Sequence, residues 1–342
     1  MQHLFIVANC GSNYCGVGKH AGLVINELRK RGDVVDLIDK KTYYKTGIRS
    51  WFSFSMFSAY IKAIIFVTCR KYDFVTIEYP FKENNPLFLL LHVFLFTISR
   101  LKFTKVALSM HEYDRLHILR KRVVDVLLYF SDLIFVSEHK YFTTLSKYRE
   151  RMFIRIIPNQ IPCLKGKKEL DCTDYCYFGL VNGSKAFGEM IYAWKSFHTD
   201  DAKSKLHVIS SSDLSNFDLA DDSIVLHRNL SNAEVARLMH KCAFSLLPVK
   251  PNVSLLNTSF MAAIQSGCVP IGKFSEEIKD KDFVINVNSY DLDDFQSGLI
   301  KSRQLEYDDF KAMSNDCIAF GRQFTVENSV DQMVKAYIEI LN

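Results

Sequence analysis

The sequence predicts an α/β protein made of two Rossmann-like domains whose parallel sheets face a central cleft. Short, continuously apolar runs alternate with amphipathic stretches, and this alternation restarts about halfway along the 342 residues. Apolar strands separated by helices are typical of parallel sheets covered on both faces. The length is also sufficient for about two domains of ~100–200 residues each. Ligands of such sheets bind beyond the carboxyl ends of the strands, so functional residues are expected there.

The elements divide into an N-terminal domain (1–162), a linker (163–173), a C-terminal domain (174–324) and a last helix (325–342). The linker is polar and lacks any periodicity. The strands predicted in the first domain are 4–8, 34–38, 74–78, 106–110, 133–136 and 154–157. Those predicted in the second are 175–178, 206–209, 224–226, 244–247, 269–271 and 283–287. The apolar stripe of the last helix is compatible with packing on its own domain or on the N-terminal one.

Composition narrows the class of protein. Hydrophobic residues make up 48% and charged residues 24% of the chain, with only 7 prolines, which predicts folded structure throughout. The net charge of +5 is too small to indicate nucleic acid, but it is compatible with an anionic substrate or a membrane surface. Nine cysteines without a C-x-x-C pair, and an N-terminus typical of a strand rather than a signal peptide, favour the cytoplasm.

Two apolar segments, 51–69 and 87–98, raise the question of a membrane. Neither provides the roughly 20 uninterrupted apolar residues of a spanning helix, because Lys62 interrupts the first and the second is too short. Two interpretations stay open. Both segments can be core helices that cover a sheet, and their outer faces can dock on anionic lipid. The basic residues near them are Arg100, Lys102, Arg115, Arg120, Lys121 and Arg122.

A glycine-containing loop, GSNYCGVGKHAG, follows the first strand. Gly16 and Gly18 would let the backbone approach a ligand closely. The loop does not match the dinucleotide fingerprint, because Ala21 stands where a third glycine is needed. It also fails as a P-loop, because Asn13 and His20 replace the first glycine and the final Ser/Thr. A plain turn before a helix remains an alternative.

The stretch PVKPNVSLLNTSFMAAIQSGCVP, residues 248–270, predicts a strand end, a polar loop, a short helix and a return strand. A loop that enters a helix leaves backbone N–H groups unpaired, which is a ready site for phosphate. The candidate ligand-binding residues here are Ser254, Asn257, Thr258 and Ser259. Elsewhere, His111 lies at the end of the fourth predicted strand and is followed by Glu112 and Asp114.

The order of several segments resembles the GT-B fold glycosyltransferases of family 4, which are retaining enzymes that build bacterial surface polysaccharides. The resemblance covers nearly the whole chain. Each segment alone is weakly specific, and their order carries the resemblance. The segments are GVGKHAGLVINELRKRG, SMHEYD, IIPNQI, YFGLVNGSKAF, LSNAEVARLMHKCAFSLLPV, FMAAIQSGCVPI and FTVENSVDQMVKAYIEIL.

The resemblance implies roles for individual residues. Gly16 and Gly18 match a loop that approaches the donor phosphate and acceptor, and His111 matches a histidine at the reacting centre. Lys185 matches a lysine that neutralises the donor diphosphate. Gly179 and Asn182 lie in the same donor-binding segment as Lys185. The last helix is expected to cross back to the N-terminal domain.

The chain also departs from the family pattern. Leu180 stands where the family has an arginine. Two family glutamates, which hold the donor sugar and the ribose, fall on Ser254 and Ala262. The family mechanism implies neither a metal ion nor a cofactor, because the leaving phosphate helps to take the acceptor proton.

The sequence therefore predicts a metal-independent, retaining glycosyltransferase that uses a nucleotide sugar and a lipid-linked glycan acceptor. The predicted setting is surface polysaccharide, O-antigen or capsule assembly at the cytoplasmic face of the inner membrane, without a nucleic-acid partner. A non-catalytic, glycosyltransferase-like scaffold or glycan-binding partner stays open because the family's arginine and glutamates are absent. A two-domain nucleotide-sugar epimerase is less favoured, because only Glu112 and Asp114 flank His111.

Overall fold

The structure is a computed structural model that describes residues 1–11, 16–40, 54–79, 87–111, 113, 116–138, 140–155, 161, 173–198 and 203–341. The chain forms two units. The first unit comprises Met1–Pro158 and Val326–Asn342, and the second comprises Asn159–Thr325. The predicted linker lies outside the described residues except for Thr173.

The first unit contains a six-stranded parallel sheet. Its strands are β1 (Gln2–Ala8), β2 (Val34–Lys40), β3 (Phe74–Tyr79), β4 (Lys105–Met110), β5 (Leu133–Val136) and β6 (Met152–Ile154). They lie in the order β2-β1-β3-β4-β5-β6. The strand predicted at 154–157 begins earlier, because β6 pairs with β5 over residues 152–154 and Arg155 follows its end. Residues 156–157 lie outside the described residues.

Helices cover both faces of this sheet. They are α1 (Gly16–Lys30), α2 (Phe54–Cys69), α3 (Leu87–Leu101), α4 (Ile118–Tyr129) and the four-residue α5 (Tyr141–Thr144). Alternate residues of β1 serve opposite cores: Leu4 and Ile6 pack in the cluster that includes α2 and α3, whereas Phe5 and Val7 pack in the cluster that includes α1. The interpretation of the two apolar segments as core helices is therefore confirmed. Within the described part of the chain, no helix has the length and apolar character needed to cross a membrane.

The second unit repeats this architecture. Its strands are β7 (Tyr175–Phe178), β8 (Leu206–Ile209), β9 (Ile224–His227), β10 (Phe244–Leu247), β11 (Val269–Gly272) and β12 (Ile285–Asn286), in the order β12-β11-β10-β7-β8-β9. Its helices are α6 (Phe187–His198), α7 (Asn232–His240), α8 (Thr258–Gln265), α9 (Leu292–Arg303) and α10 (Tyr307–Gly321). The edge strand β12 is shorter than the predicted 283–287, because only two of its residues pair with β11. Two parallel sheets with flanking helices confirm the predicted α/β class.

The last helix, α11 (Val326–Leu341), packs within the first unit. Val330, Met333 and Tyr337 are fully buried in the same cluster as Phe5. The ring of Tyr337 lies 4.0 Å from that of Phe74, and its hydroxyl shares a 2.7 Å hydrogen bond with Thr76. This helix therefore covers one face of the first sheet.

Removing the Tyr337 side chain should destabilise the protein strongly, because it leaves a cavity against the sheet. We expect Tyr337→Ala to lower the free energy of unfolding by about 3–5 kcal/mol. Tyr337→Phe loses only the hydrogen bond and should lower it by about 1 kcal/mol. The measurement is urea unfolding followed by circular dichroism. Ile338→Ala is the matched control, because Ile338 is half exposed on the same helix. Equal losses for Tyr337→Ala and Ile338→Ala would contradict this packing role.

Candidate functional site

Four titratable side chains meet at the carboxyl edge of the first sheet. Glu78 lies near the end of β3, His111 directly follows β4, and Arg155 directly follows β6. His20 comes from the first turns of α1. All four are buried, with exposures of 6% or less. Charged groups are rarely buried this deeply unless they are paired, so their contacts decide the chemistry of the edge.

Glu78 is the centre of this cluster because each of its carboxylate oxygens has its own partner. Arg155 Nη1 donates to Glu78 Oε1 at 2.7 Å and also to Ser109 Oγ at 2.9 Å. His111 Nε2 lies 2.9 Å from Glu78 Oε2. Arg155 Nη2 lies 3.5 Å from His20 Nδ1. The ends of three strands are thereby joined through one carboxylate, and Arg155 adds a contact to α1.

The charges of the cluster follow from these contacts. Burial by itself would raise the pKa of Glu78, but the charge of Arg155 and the hydrogen bond from His111 outweigh it and lower that pKa well below its usual range. Burial lowers the pKa of His20 well below its usual range, and the neighbouring Arg155 and His111 lower it further. Glu78 is therefore ionised and His20 is neutral near pH 7.

His20, Glu78 and His111 also have the chemistry of metal ligands, and one ligand atom of each lies within 4.8 Å of the others. Arg155 opposes this use of the cluster. Its guanidinium already bonds one oxygen of Glu78 and lies beside the ring nitrogen of His20, where it would repel a divalent cation. The arrangement fits a buried Glu78–Arg155 ion pair with a hydrogen-bonded histidine better than a metal centre.

The two glycines predicted near a ligand differ in their surroundings. A Cβ on Gly18 would lie 2.0 Å from the carbonyl oxygen of Asn9, so glycine is required there for α1 to pack on the end of β1. Gly16 is exposed, and a Cβ on it would meet nothing within 4 Å. The loop between β1 and α1, residues 12–15, lies outside the described residues, and so do the acids Glu112 and Asp114.

In the second unit, Gly179 brings the end of β7 against the start of α8. Its φ of +142° is unfavourable for other residues, and a Cβ there would lie 2.9 Å from Ser259 Oγ. Tyr177 donates its hydroxyl to the carbonyl of Leu180 and holds the loop that follows. A larger residue at 179 would push this loop away from α8.

Lys185 lies in the loop between β7 and α6, and its backbone bridges to Val249 beyond β10. Two further bonds fix this contact: Ala186 N donates to Pro248 O, and Lys250 N donates to Ser184 O, both at 2.8 Å. The Lys185 side chain is half-buried, and burial lowers its pKa. Within the described ranges, no carboxylate pairs with this ammonium. Lys185 is therefore a partly desolvated cation without a counter-charge among the residues that the structure describes.

The segment beyond Val249 leads to the start of α8, where Asn257 is the N-cap and its side chain accepts from Phe260 N at 2.9 Å. The preceding N–H groups, of Thr258 and Ser259, belong to the first turn, which has no intrahelical acceptor for them. Ser254 is half-buried in the loop before this helix. The exposed Asn182 accepts from Ser184 N through its side-chain oxygen and so shapes the Lys185 loop.

The three positions at which the chain departs from the family pattern differ in accessibility and polarity. Ala262 is fully buried in the core under α8, so no side chain there could reach a ligand without displacing that core. Leu180, at the position of the family's arginine, is 60% exposed. Ser254 is the only one of the three with a polar side chain.

Sequence reasoning missed Glu78, Arg155 and His20 as parts of a site. A signal was present, because Glu78 and Arg155 are charged residues at the ends of apolar strands. Their pairing could not be read from the sequence, since 77 residues separate Glu78 from Arg155.

Several chains of known structure share this architecture. An α-glucosyltransferase in complex with UDP and a 13-mer DNA matches with a TM-score of 0.65 and 15% identity, over 100% of this chain and 99% of that chain. Anabaena Alr3699/HepE in complex with UDP matches with a TM-score of 0.66 and 11% identity, over 99% and 100%. An α,α-trehalose-phosphate synthase (UDP-forming) from Burkholderia vietnamiensis matches with a TM-score of 0.65 and 11% identity, over 100% and 98%.

No protein-family model and no curated protein matches the chain by sequence. Identities of 11–15% establish the fold alone. Both sheets of this chain are six-stranded and parallel, with flanking helices, as in GT-B glycosyltransferases. The chain therefore has the GT-B fold.

Proposed function

We propose that the protein is a glycosyltransferase that moves a sugar from a nucleotide diphosphate donor to a glycan acceptor. The observation that carries this proposal is Lys185, a half-buried ammonium without a carboxylate partner among the described residues. Its backbone is bridged to Val249, in the segment that leads to the N-terminus of α8. A cation and exposed helix amides together suit a diphosphate.

These groups would promote departure of the nucleotide. When the bond between sugar and phosphate breaks, negative charge develops on the diphosphate oxygens. Lys185 and the N–H groups of Thr258 and Ser259 would stabilise that charge in a site already arranged for it. The protein would therefore supply electrostatic stabilisation where other enzymes use a metal ion, so we propose a reaction without metal or cofactor.

UDP is the first nucleotide to test, because the three structures described above are a UDP complex, a second UDP complex and a UDP-forming enzyme.

Recognition of the donor sugar must differ from the family pattern. A serine at 254 cannot replace the charge-assisted hydrogen bond of a glutamate, so a donor sugar that lacks the usual hydroxyl, such as a deoxy sugar, fits best.

We assign His111 to the reacting centre and propose family 4 membership with retention of configuration. In a front-face displacement the leaving phosphate takes the acceptor proton, so a dedicated carboxylate base is not required. His111 would then bind and orient the transferred sugar.

The acceptor we propose is a lipid-linked glycan at the cytoplasmic face of the inner membrane, in surface polysaccharide assembly. Neither α2 nor α3 contains an acidic residue, and both expose large apolar side chains. Leu101 and Phe103, at the end of α3, are 76% and 88% exposed and flank Lys102. Exposed apolar groups beside cations suit an anionic lipid surface.

Lys185→Ala should weaken UDP binding while leaving the fold intact. Loss of a charged hydrogen-bonding group corresponds to about 1.5–3 kcal/mol, or about a 10- to 100-fold higher Kd. Isothermal titration calorimetry measures this change. Lys250→Ala is the matched control, because Lys250 is exposed and pairs with Glu189. A Kd for Lys185→Ala within about twofold of the control would remove Lys185 from the site.

The pH dependence of binding gives a second readout on Lys185. Burial lowers the pKa of Lys185 below 10.5, the value of an ordinary lysine. In the protein without UDP, its ammonium therefore loses its proton at a lower pH than that of an exposed lysine. UDP affinity should therefore fall at alkaline pH below 10.5. In Lys185→Arg the cation stays protonated, and this fall should be absent.

Hydrolysis and transfer assays with UDP-, GDP- and CMP-linked sugars separate an enzyme from a scaffold. We expect one donor class to be consumed, and His111→Ala to reduce kcat by at least about tenfold. If nucleotide binds but no donor reacts with any glycan, the non-catalytic glycan-binding alternative is favoured. A DNA duplex belongs among the acceptors tested, since several α-glucosyltransferase structures similar to this chain contain DNA. We expect no transfer to it, given a net charge of only +5.

The double variant Leu101→Ser/Phe103→Ser should bind anionic vesicles at least about tenfold more weakly, because two exposed apolar side chains are lost. Co-sedimentation with phosphatidylglycerol-containing vesicles measures the effect, and pure phosphatidylcholine vesicles test the charge dependence. Ile300→Ser/Tyr307→Ser, two exposed apolar side chains of the second unit, is the control. Unchanged binding by the Leu101/Phe103 variant would exclude this surface.

A further inference from the structure

We propose that Glu78 and Arg155 are positioning residues that hold His111 as the tautomer with a proton on Nε2 and Nδ1 directed to the ligand. The positioning follows from geometry alone. Its catalytic consequence rests on the proposed function, in which His111 orients the transferred sugar.

The Arg155 guanidinium determines which atom donates in each hydrogen bond between Arg155, Glu78 and His111. A guanidinium has donors only, so Arg155 must donate to Glu78 Oε1. Held ionised by that contact, Glu78 has acceptors only. The 2.9 Å contact between Glu78 Oε2 and His111 Nε2 then requires the hydrogen to be on the histidine nitrogen. Arg155 thus determines, through Glu78, which nitrogen of His111 is protonated.

The same reasoning fixes His20. Arg155 Nη2 faces His20 Nδ1, which must accept, so neutral His20 carries its proton on Nε2. Its ring lies edge-on to that of His111, with centroids 5.5 Å apart. His20 therefore limits the rotation of the His111 ring without competing for Glu78.

This arrangement leaves Nδ1 as the nitrogen of His111 available to a ligand, since no described residue bonds it. In the neutral ring Nδ1 carries a lone pair and can accept a hydrogen bond from a sugar hydroxyl. The opposite tautomer would present a donor there and lose that bond. A buried ion pair contributes little to the stability of a fold, because well-packed apolar residues in its place often give a fold that is equally stable or more stable. Stability alone therefore does not explain the Glu78–Arg155 pair, whereas control of the His111 tautomer does.

Nitrogen-15 NMR of histidine-labelled protein tests the proposal directly. The ring signals of His111, assigned by their loss in His111→Gln, should show a protonated Nε2 and an unprotonated Nδ1 in the neutral form of the ring. Finding the proton on Nδ1 in the wild type would overturn the proposal without any variant of Glu78. This measurement needs no turnover, so it stands even where the proposed function fails.

Glu78→Gln then tests the cause. The glutamine oxygen can still accept from Arg155, which turns its NH₂ group towards His111 as a donor. We expect the His111 proton to move to Nδ1 in this variant, and not in Glu189→Gln, an exposed control in the second unit. An unchanged tautomer in folded Glu78→Gln would contradict control by Glu78.

Kinetics link the tautomer to the proposed reaction. In Glu78→Gln we expect kcat to fall by at least about tenfold, with the Kd for UDP within about twofold of wild type. A purely structural role would reduce both together with the folded fraction. A switched tautomer with unchanged kcat would overturn the catalytic consequence of the positioning.

Discussion

Parallel pairing is the constraint on which both units depend. Because all six strands of each sheet run in one direction, their carboxyl ends lie at the same edge, and the segments that leave those ends bring together residues far apart in sequence. His111 and Arg155 follow β4 and β6 in the first unit, and Gly179 follows β7 in the second. The candidate groups of each unit thus result from strand direction before any side-chain contact is made.

The two units differ in whether the charges of their candidate site residues are neutralised within the unit. In the first, Glu78 and Arg155 neutralise each other inside the protein, and the second oxygen of Glu78 contacts His111. In the second, the positive charge of Lys185 has no counter-charge in the described part of the chain. The first arrangement suits orientation of an uncharged group such as a sugar. The second suits binding of an anion.

Much of the fold was predictable because strands buried on both faces are continuously apolar. β5, β7, β8 and β10 lie at their predicted bounds, and α11 lies within the predicted segment 325–342. Short edge strands were less predictable, because β12 is set by two pairings rather than by its own hydrophobicity. The candidate site was only partly accessible from the sequence: His111 was proposed from its place at a strand end, and Lys185 from the family resemblance. The bond between Glu78 and Arg155 depends on strand order, which the sequence does not state.

The position of α11 has a consequence for biosynthesis. Phe5, Phe74 and Phe135 form the sheet face that this helix covers, and they are made long before residues 326–341. The first unit is discontinuous in sequence, so it cannot cover this aromatic surface until residues 326–341 have been made. Synthesis of the N-terminal segment is therefore not sufficient to complete its core, which needs the C-terminal helix.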